Sequence, residues 1–144
     1  MTKIAENIAR VNERILAACA RAHRDPEEVL LVAISKRKPG EDVLAAAAAG
    51  LRHFGENRVE EASIKLPQVD AQAPAPLTWH MVGHVQSRKT HDVVSLFNWV
   101  HSVDSLKLAQ RMAAAAEGTH NLNVLLQINI SGEESKSGFD AANW

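Results

Sequence analysis

Short apolar runs of strand character alternate with amphipathic runs of helical character along the whole 144-residue sequence. Strands separated by helices pair in parallel through right-handed crossovers, so the pattern dictates an α/β fold with a parallel sheet. The first helix is marked by Ile4, Ile8, Val11, Ile15 and Cys19 at helical spacing, with Thr2 as its N-cap. Asp25-Pro26-Glu27-Glu28 reads as a cap, a first-turn proline and two acidic residues, hence one helical turn. It leads into residues 29–34, apolar on both faces like a strand covered on both sides.

Pro39 opens a helix over 41–49 that Gly50 closes, and a short strand over 52–54 ends at Gly55. The next helix is expected over 57–66, stopped by Pro67, with a proline-bearing loop over 68–77. A third strand over 78–82 ends at Gly83, and a helix follows over 87–97. Residues 99–101 give a fourth strand. Asp104 is the expected cap of a helix carrying Leu106, Leu108, Ala109 and Met112. The fifth strand is expected over 123–130. Five parallel strands fit either an open doubly wound sheet or a (β/α)8 barrel. The first strand is followed by Ser-Lys-Arg-Lys-Pro rather than a glycine-rich dinucleotide or P-loop turn, which weakens the open-sheet reading.

Composition removes several function classes. Sixteen basic residues against seventeen acidic ones leave a net charge of −1, unlike a dedicated nucleic-acid binder. No apolar run approaches the ~18–20 residues of a membrane span. The first fifteen residues are amphipathic and carry Glu6 and Glu13, unlike the apolar core of a secretory signal. The single cysteine, Cys19, forms no internal disulfide and fits a reducing cytoplasm.

Polar residues gather just beyond the strand ends: Ser35-Lys36, Glu56-Asn57, Gly83 through Ser87, His101-Ser102 and Asn129 through Ser137. Barrels and open sheets both carry their sites at this edge. Lys36 ends a strongly apolar strand on the face of Val32 and Ile34, and Arg37 and Lys38 adjoin it. Partial desolvation and adjacent positive charge favour the neutral amine, the form that attacks a carbonyl. The alternative is a solvated basic turn. His53, His80, His84 and His101 read as polar pocket lining before metal ligands, because His80 and His84 lie at a strand end and share no helical face. Glu56 and Asn57 read as helix caps or cofactor contacts, and Cys19 as a small core residue.

Five blocks together resemble one family. They are Val32-Ala33-Ile34-Ser35-Lys36-Arg37-Lys38-Pro39; His53 through Glu61; Trp79 through Lys89; Val100 through Ser105; and Leu125 through Ser131 with Glu134-Ser135-Lys136-Ser137-Gly138-Phe139. In this order they resemble the pyridoxal phosphate homeostasis proteins. The resemblance implies a TIM-barrel-type (β/α)8 fold like the alanine racemase N-terminal domain, with about the first five strands in this chain. It implies pyridoxal 5′-phosphate held as a Schiff base on Lys36, with Asn57, Met81 and Gly83 lining the cofactor site. Lys38 and Lys136 match lysines that accept the aldehyde secondarily. The implied role is intracellular vitamin B6 homeostasis without established catalysis, with PLP-dependent apoenzymes as recipients. Arg37 departs from the small polar residue common there, and His84 stands where proline or histidine is usual.

A full barrel takes ~200–250 residues, and the family's phosphate-holding segment follows strands seven and eight. Residues 1–144 are therefore expected to be one PLP-binding barrel domain, incomplete at its C-terminal side. The folded form is expected to be completed by a second fragment or another copy. The competing functions are a racemase-like enzyme and a barrel fragment that binds nothing.

Overall fold

The structure, a computed structural model, describes residues 2–142. Helix α1 spans Lys3–Ala22, and the Thr2 hydroxyl accepts the Ala5 N–H as its N-cap. The Asp25 carboxylate caps a single 3-10 turn, Pro26–Glu28, as the sequence predicts. Five strands follow: β1 Ala33–Ile34, β2 His53–Glu56, β3 Thr78–Met81, β4 Trp99–Val103 and β5 Asn123–Leu126. They form one all-parallel sheet in the order β1-β2-β3-β4-β5. The crossovers are α2 (Gly40–Ala48), α3 (Val59–Asp70), α4 (Thr90–Leu96, preceded by a 3-10 turn at Ser87–Lys89) and α5 (Leu106–Ala116). Sequential order with parallel pairing is the signature of a barrel wall, and it settles the architecture against the doubly wound alternative.

Several boundaries differ from expectation. Residues 29–32 lie outside the ladder, because β2 begins only at His53 and offers β1 two register positions. Leu30 and Ile34 are half exposed rather than covered on both faces. Pro67 does not stop α3. The proline denies a hydrogen bond to the carbonyl four residues back, on Ser63, which is exposed and so open to solvent. The last turn is held by buried Val69 and by the Trp79 indole N–H, which donates to the Asp70 carboxylate at 2.9 Å. Ser105, not Asp104, caps α5, its hydroxyl accepting the Leu108 N–H. The expected fifth strand divides at Gln127. A second, two-stranded parallel sheet pairs β6 (Ile128–Asn129) with β7 (Phe139–Asp140).

Alternation splits the main sheet into two faces. Phe54, Trp79, Met81 and Val100 face the helices and pack with Val43, Ala47, Ala62, Leu66, Val93, Phe97, Leu108 and Met112. The opposite face, the inner side of a barrel wall, carries Ile34, Gly55, His80, Trp99 and His101. Strand β5 pairs on one side only. Its Val124 and Leu126 are about half exposed beside Ala109 and Met112, lining a groove of about 450 Å³. Cys19 is buried, as expected of a core residue.

Leu66 and Ile64 lie on the same helix with opposite fates, 2% and 67% exposed. Leu66→Ala is expected to cost about 2–5 kcal/mol through transfer and cavity terms. Ile64→Ala should stay within about 0.5 kcal/mol. Urea unfolding of the two variants checks the difference.

Candidate functional site

The site region is the carboxyl edge of the sheet, where the β1, β2 and β3 exits meet. Ser35-Lys36-Arg37-Lys38 forms a tight turn closed by the Lys38 N–H donating to the Ser35 carbonyl at 3.0 Å. Arg37 takes φ +60°, the left-handed region that a small polar residue or glycine occupies at lower cost. Lys36 follows the inner-face residue Ile34 by two positions and shares that face with Asn57. Lys36 is exposed, so the described residues do not supply the desolvation expected for it. Among the described residues neither its amine nor the Asn57 amide side chain has a hydrogen-bond partner.

Gly83 is required by close approach. A Cβ there would lie 2.2 Å from the Asn57 carbonyl oxygen, so the β3 exit rests against the β2 exit. The Ser102 hydroxyl donates to the Gly83 carbonyl from β4. The structure thus brings Asn57 and Gly83 together. Met81 is 1% exposed and its side chain faces the helices, away from the face of Lys36. Asn57 and Met81 share a hollow of about 310 Å³ with Arg58, His84, Gln86 and Lys89, and Lys36 does not line it. Lys38 borders a different hollow, with Asp42 and Val43 on the helix side of β1. Lys136 is exposed in the loop between β6 and β7, a loop organised by the Asn129 side chain.

Beneath the Lys36 turn lies a buried ionic cluster that the sequence reading missed. Glu56 is fully buried and neither caps a helix nor faces Asn57's side of the sheet. Its Oε1 accepts the Ser35 hydroxyl at 2.7 Å and the Lys65 ammonium at 2.9 Å. Lys65, 9% exposed, also donates to the Ser35 carbonyl at 3.0 Å and to Glu61 Oε1 at 2.8 Å. Glu61 Oε1 in turn accepts the Arg37 N–H at 2.7 Å. Burial works to lower the Lys65 pKa, but its hydrogen bonds and charge pairing with Glu61 and Glu56 prevail and raise it above its ordinary value. The Lys65 hydrogen bond, with the Arg37 amide and nearby cations, outweighs burial and lowers the Glu61 pKa. The Glu61–Lys65 spacing of four was the available signal, and it ordinarily marks an exposed helix pair.

The histidines are brought together, except His84, which pairs with Asp104 at 3.2 Å. His53 Nδ1 meets His80 Nε2 at 3.0 Å, and His80 Nδ1 meets His101 Nε2 at 2.9 Å. The ring nitrogens face one another in a chain instead of converging on a common point, and Trp99 stacks on His80 at 13°. A neutral imidazole has one N–H, so both bonds form when two successive rings donate in the same direction and the ring at the end of the chain accepts. Burial, then the neighbouring His101 and His53 charges, push the His80 pKa down to about 4. Burial lowers those of His53 and His101 as well.

A depressed histidine pKa stabilises the fold fully above the unfolded value of 6.5, and the contribution is lost as pH falls towards 4. For His80 the contribution is on the order of 3 kcal/mol. Urea unfolding is expected to show a loss of this order between pH 7 and 4.5, before most carboxylates titrate. The slope should shrink in His80→Gln. An unchanged slope would refute the assignment.

Residues 2–144 match the model of the alanine racemase N-terminal domain. The pyridoxal phosphate homeostasis protein of Pseudomonas aeruginosa is 52% identical over 139 residues, covering 96% of this chain and 59% of that protein. The protein of the same name from Escherichia coli K12 is 43% identical, over 99% of this chain and 61% of its own length. Among solved structures, PipY of Synechococcus elongatus with PLP bound is similar at TM-score 0.78 and 36% identity, covering 98% of this chain and 60% of that one. A Bifidobacterium adolescentis protein reaches TM-score 0.86 at 36% identity, over 96% of this chain and 60% of its own. The chain therefore spans about three-fifths of the length of these relatives. On the family match and the sequential parallel sheet together, this chain belongs to the alanine racemase N-terminal domain family.

Proposed function

We propose that this chain holds pyridoxal 5′-phosphate through Lys36 and serves intracellular vitamin B6 homeostasis as a carrier rather than a catalyst. The observation that carries the reading is the Lys36 amine, unpaired among the described residues and exposed at the carboxyl edge of a barrel-type sheet. Pyridoxal phosphate supplies an aldehyde, which condenses with a primary amine and releases water. Lys36 is the residue to take the aldehyde, and the unengaged Asn57 amide on the same face is placed to hydrogen-bond the ring substituents. Gly83 keeps the β3 exit low beside Asn57. Lys38 and Lys136 are secondary acceptors, both exposed amines.

The names of the curated relatives and the PLP-bound PipY structure support this cofactor and role. A PLP-dependent apoenzyme is the proposed recipient. A single free cysteine and the lack, among the described residues, of any helix long and apolar enough to cross a membrane accord with a cytoplasmic site of action. Residues 1–144 are read as one PLP-binding barrel domain, five strands of its wall. The one-sided pairing of β1 and β5 and the exposed apolar side chains of β5 support a wall that continues with further strands.

Added pyridoxal phosphate is expected to give a visible absorbance band, and borohydride should fix the label on Lys36, located by peptide mass spectrometry. Lys36→Ala should weaken retention at least about tenfold, or 1.4 kcal/mol. The residual label should move to Lys38 and Lys136. A parental chain that labels all lysines alike, with no preference for Lys36, refutes the reading.

A further inference from the structure

We infer that Glu61 and Lys65 are positioning residues for Lys36, acting as a two-point clamp on the backbone either side of its Cα. The inference rests on the assignment of Lys36 as anchor and deepens it. The carbonyl preceding Lys36, that of Ser35, accepts the Lys65 ammonium at 3.0 Å. The N–H following it, that of Arg37, donates to Glu61 Oε1 at 2.7 Å. Glu61 Oε1 and Lys65 Nζ are themselves 2.8 Å apart. A closed path therefore runs from one peptide unit, through two α3 side chains, back to the next peptide unit. Lys36 lies at the centre of the path and is the one residue spanned by it.

Two further features fix where the clamp stands. Glu56, fully buried, receives both the Ser35 hydroxyl and Lys65, so the ammonium is anchored to β2 as well as to the turn after β1. Arg37 is held at φ +60°, a region that a non-glycine residue keeps only when its surroundings impose it. The Glu61 hydrogen bond to the Arg37 N–H is such an imposition. Released, Arg37 returns to the ordinary region of backbone space and the Lys36 stem leaves the inner face that it shares with Asn57. The three N–H donors of Lys65 all have acceptors within 3.0 Å, so the ammonium is saturated where it stands.

The test is Glu61→Ala against Glu61→Gln in the full chain. Glutamine keeps an Oε1 acceptor for the Arg37 N–H; alanine removes it. The first readout is selectivity: pyridoxal phosphate with borohydride, then the ratio of label on Lys36 to label on Lys38. Glu61→Ala should lower the ratio about tenfold, and Glu61→Gln should restore it to within about twofold. The second readout needs no cofactor. Amide hydrogen exchange at Arg37 should be protected in the parental chain and in Glu61→Gln, and unprotected in Glu61→Ala. A parental chain without preference for Lys36 removes the carrier reading, while loss of Arg37 protection in Glu61→Ala still supports the clamp. An unchanged ratio with unchanged protection in a folded Glu61→Ala overturns it. Should that variant not fold, Glu61→Asp withdraws the oxygen by one methylene and keeps the charge. The same shifts are expected there, and their absence overturns the clamp equally.

Discussion

The Lys65 ammonium holds the carboxyl edge of this sheet together. Its three donors go to the Ser35 carbonyl just past β1, a β2 carboxylate and a carboxylate of its own helix, so one charge joins three segments of the chain. The register of β1 on β2 depends on it in turn. The ladder has only two Cα pairs, Ala33 with Phe54 and Ile34 with Gly55, and just beyond it Ser35 donates its backbone N–H to the Gly55 carbonyl and its hydroxyl to Glu56. A one-residue slip of β1 on β2 would turn Ser35 to the inner face, away from Glu56, and bury Ile34 among the helices. The ionic cluster opposes that slip, because it would strip buried Glu56 of the Ser35 hydroxyl and buried Lys65 of the Ser35 carbonyl.

On the opposite side of the sheet the polar groups solve a different problem. A barrel wall must place something on its inner face at each strand, and here β2, β3 and β4 each present a histidine. Their mutual hydrogen bonds satisfy ring nitrogens that have few other partners, and Trp99 covers His80. All three shifts favour the neutral rings. The inner face of these strands is therefore polar in its hydrogen bonding.

The element order was legible because periodicity and caps are local. Thr2, Asp25 and Gly50 sit at the ends they announce, Gly50 at φ +101° with Leu51 N–H returning to the Ala46 carbonyl. Pro67 misled because its penalty depends on whether the freed carbonyl is wet, which sequence does not disclose. Residues 29–32 misled because an apolar run does not reveal how many ladder partners await it. The Lys36 position was reached through its place after the first strand and the five family blocks. The ionic cluster was not reached at all. Ser35, Glu56, Glu61 and Lys65 look like loop and surface residues one at a time, and only the parallel β1–β2 register and the docking of α3 bring them within 3 Å. The histidine chain is similar: each ring was noticed, but their contact is a product of three strands in register.

The energetics of the cluster bear on its purpose. Burying the Glu56 carboxylate and the Lys65 ammonium, with partly exposed Glu61 beside them, incurs desolvation costs that their attraction roughly cancels, and apolar replacements of equal volume often match such clusters in stability. Breaking one partner is another matter, costing about 3–5 kcal/mol, because a charge is then stranded. An interaction of this kind contributes little net stability but strongly penalises every arrangement except its own. That suits the geometry here, where a short turn at the sheet's edge has to hold a left-handed Arg37. Apolar packing is non-directional and would stabilise the turn without choosing among its conformations. Hydrogen bonds from fixed, buried charges choose one.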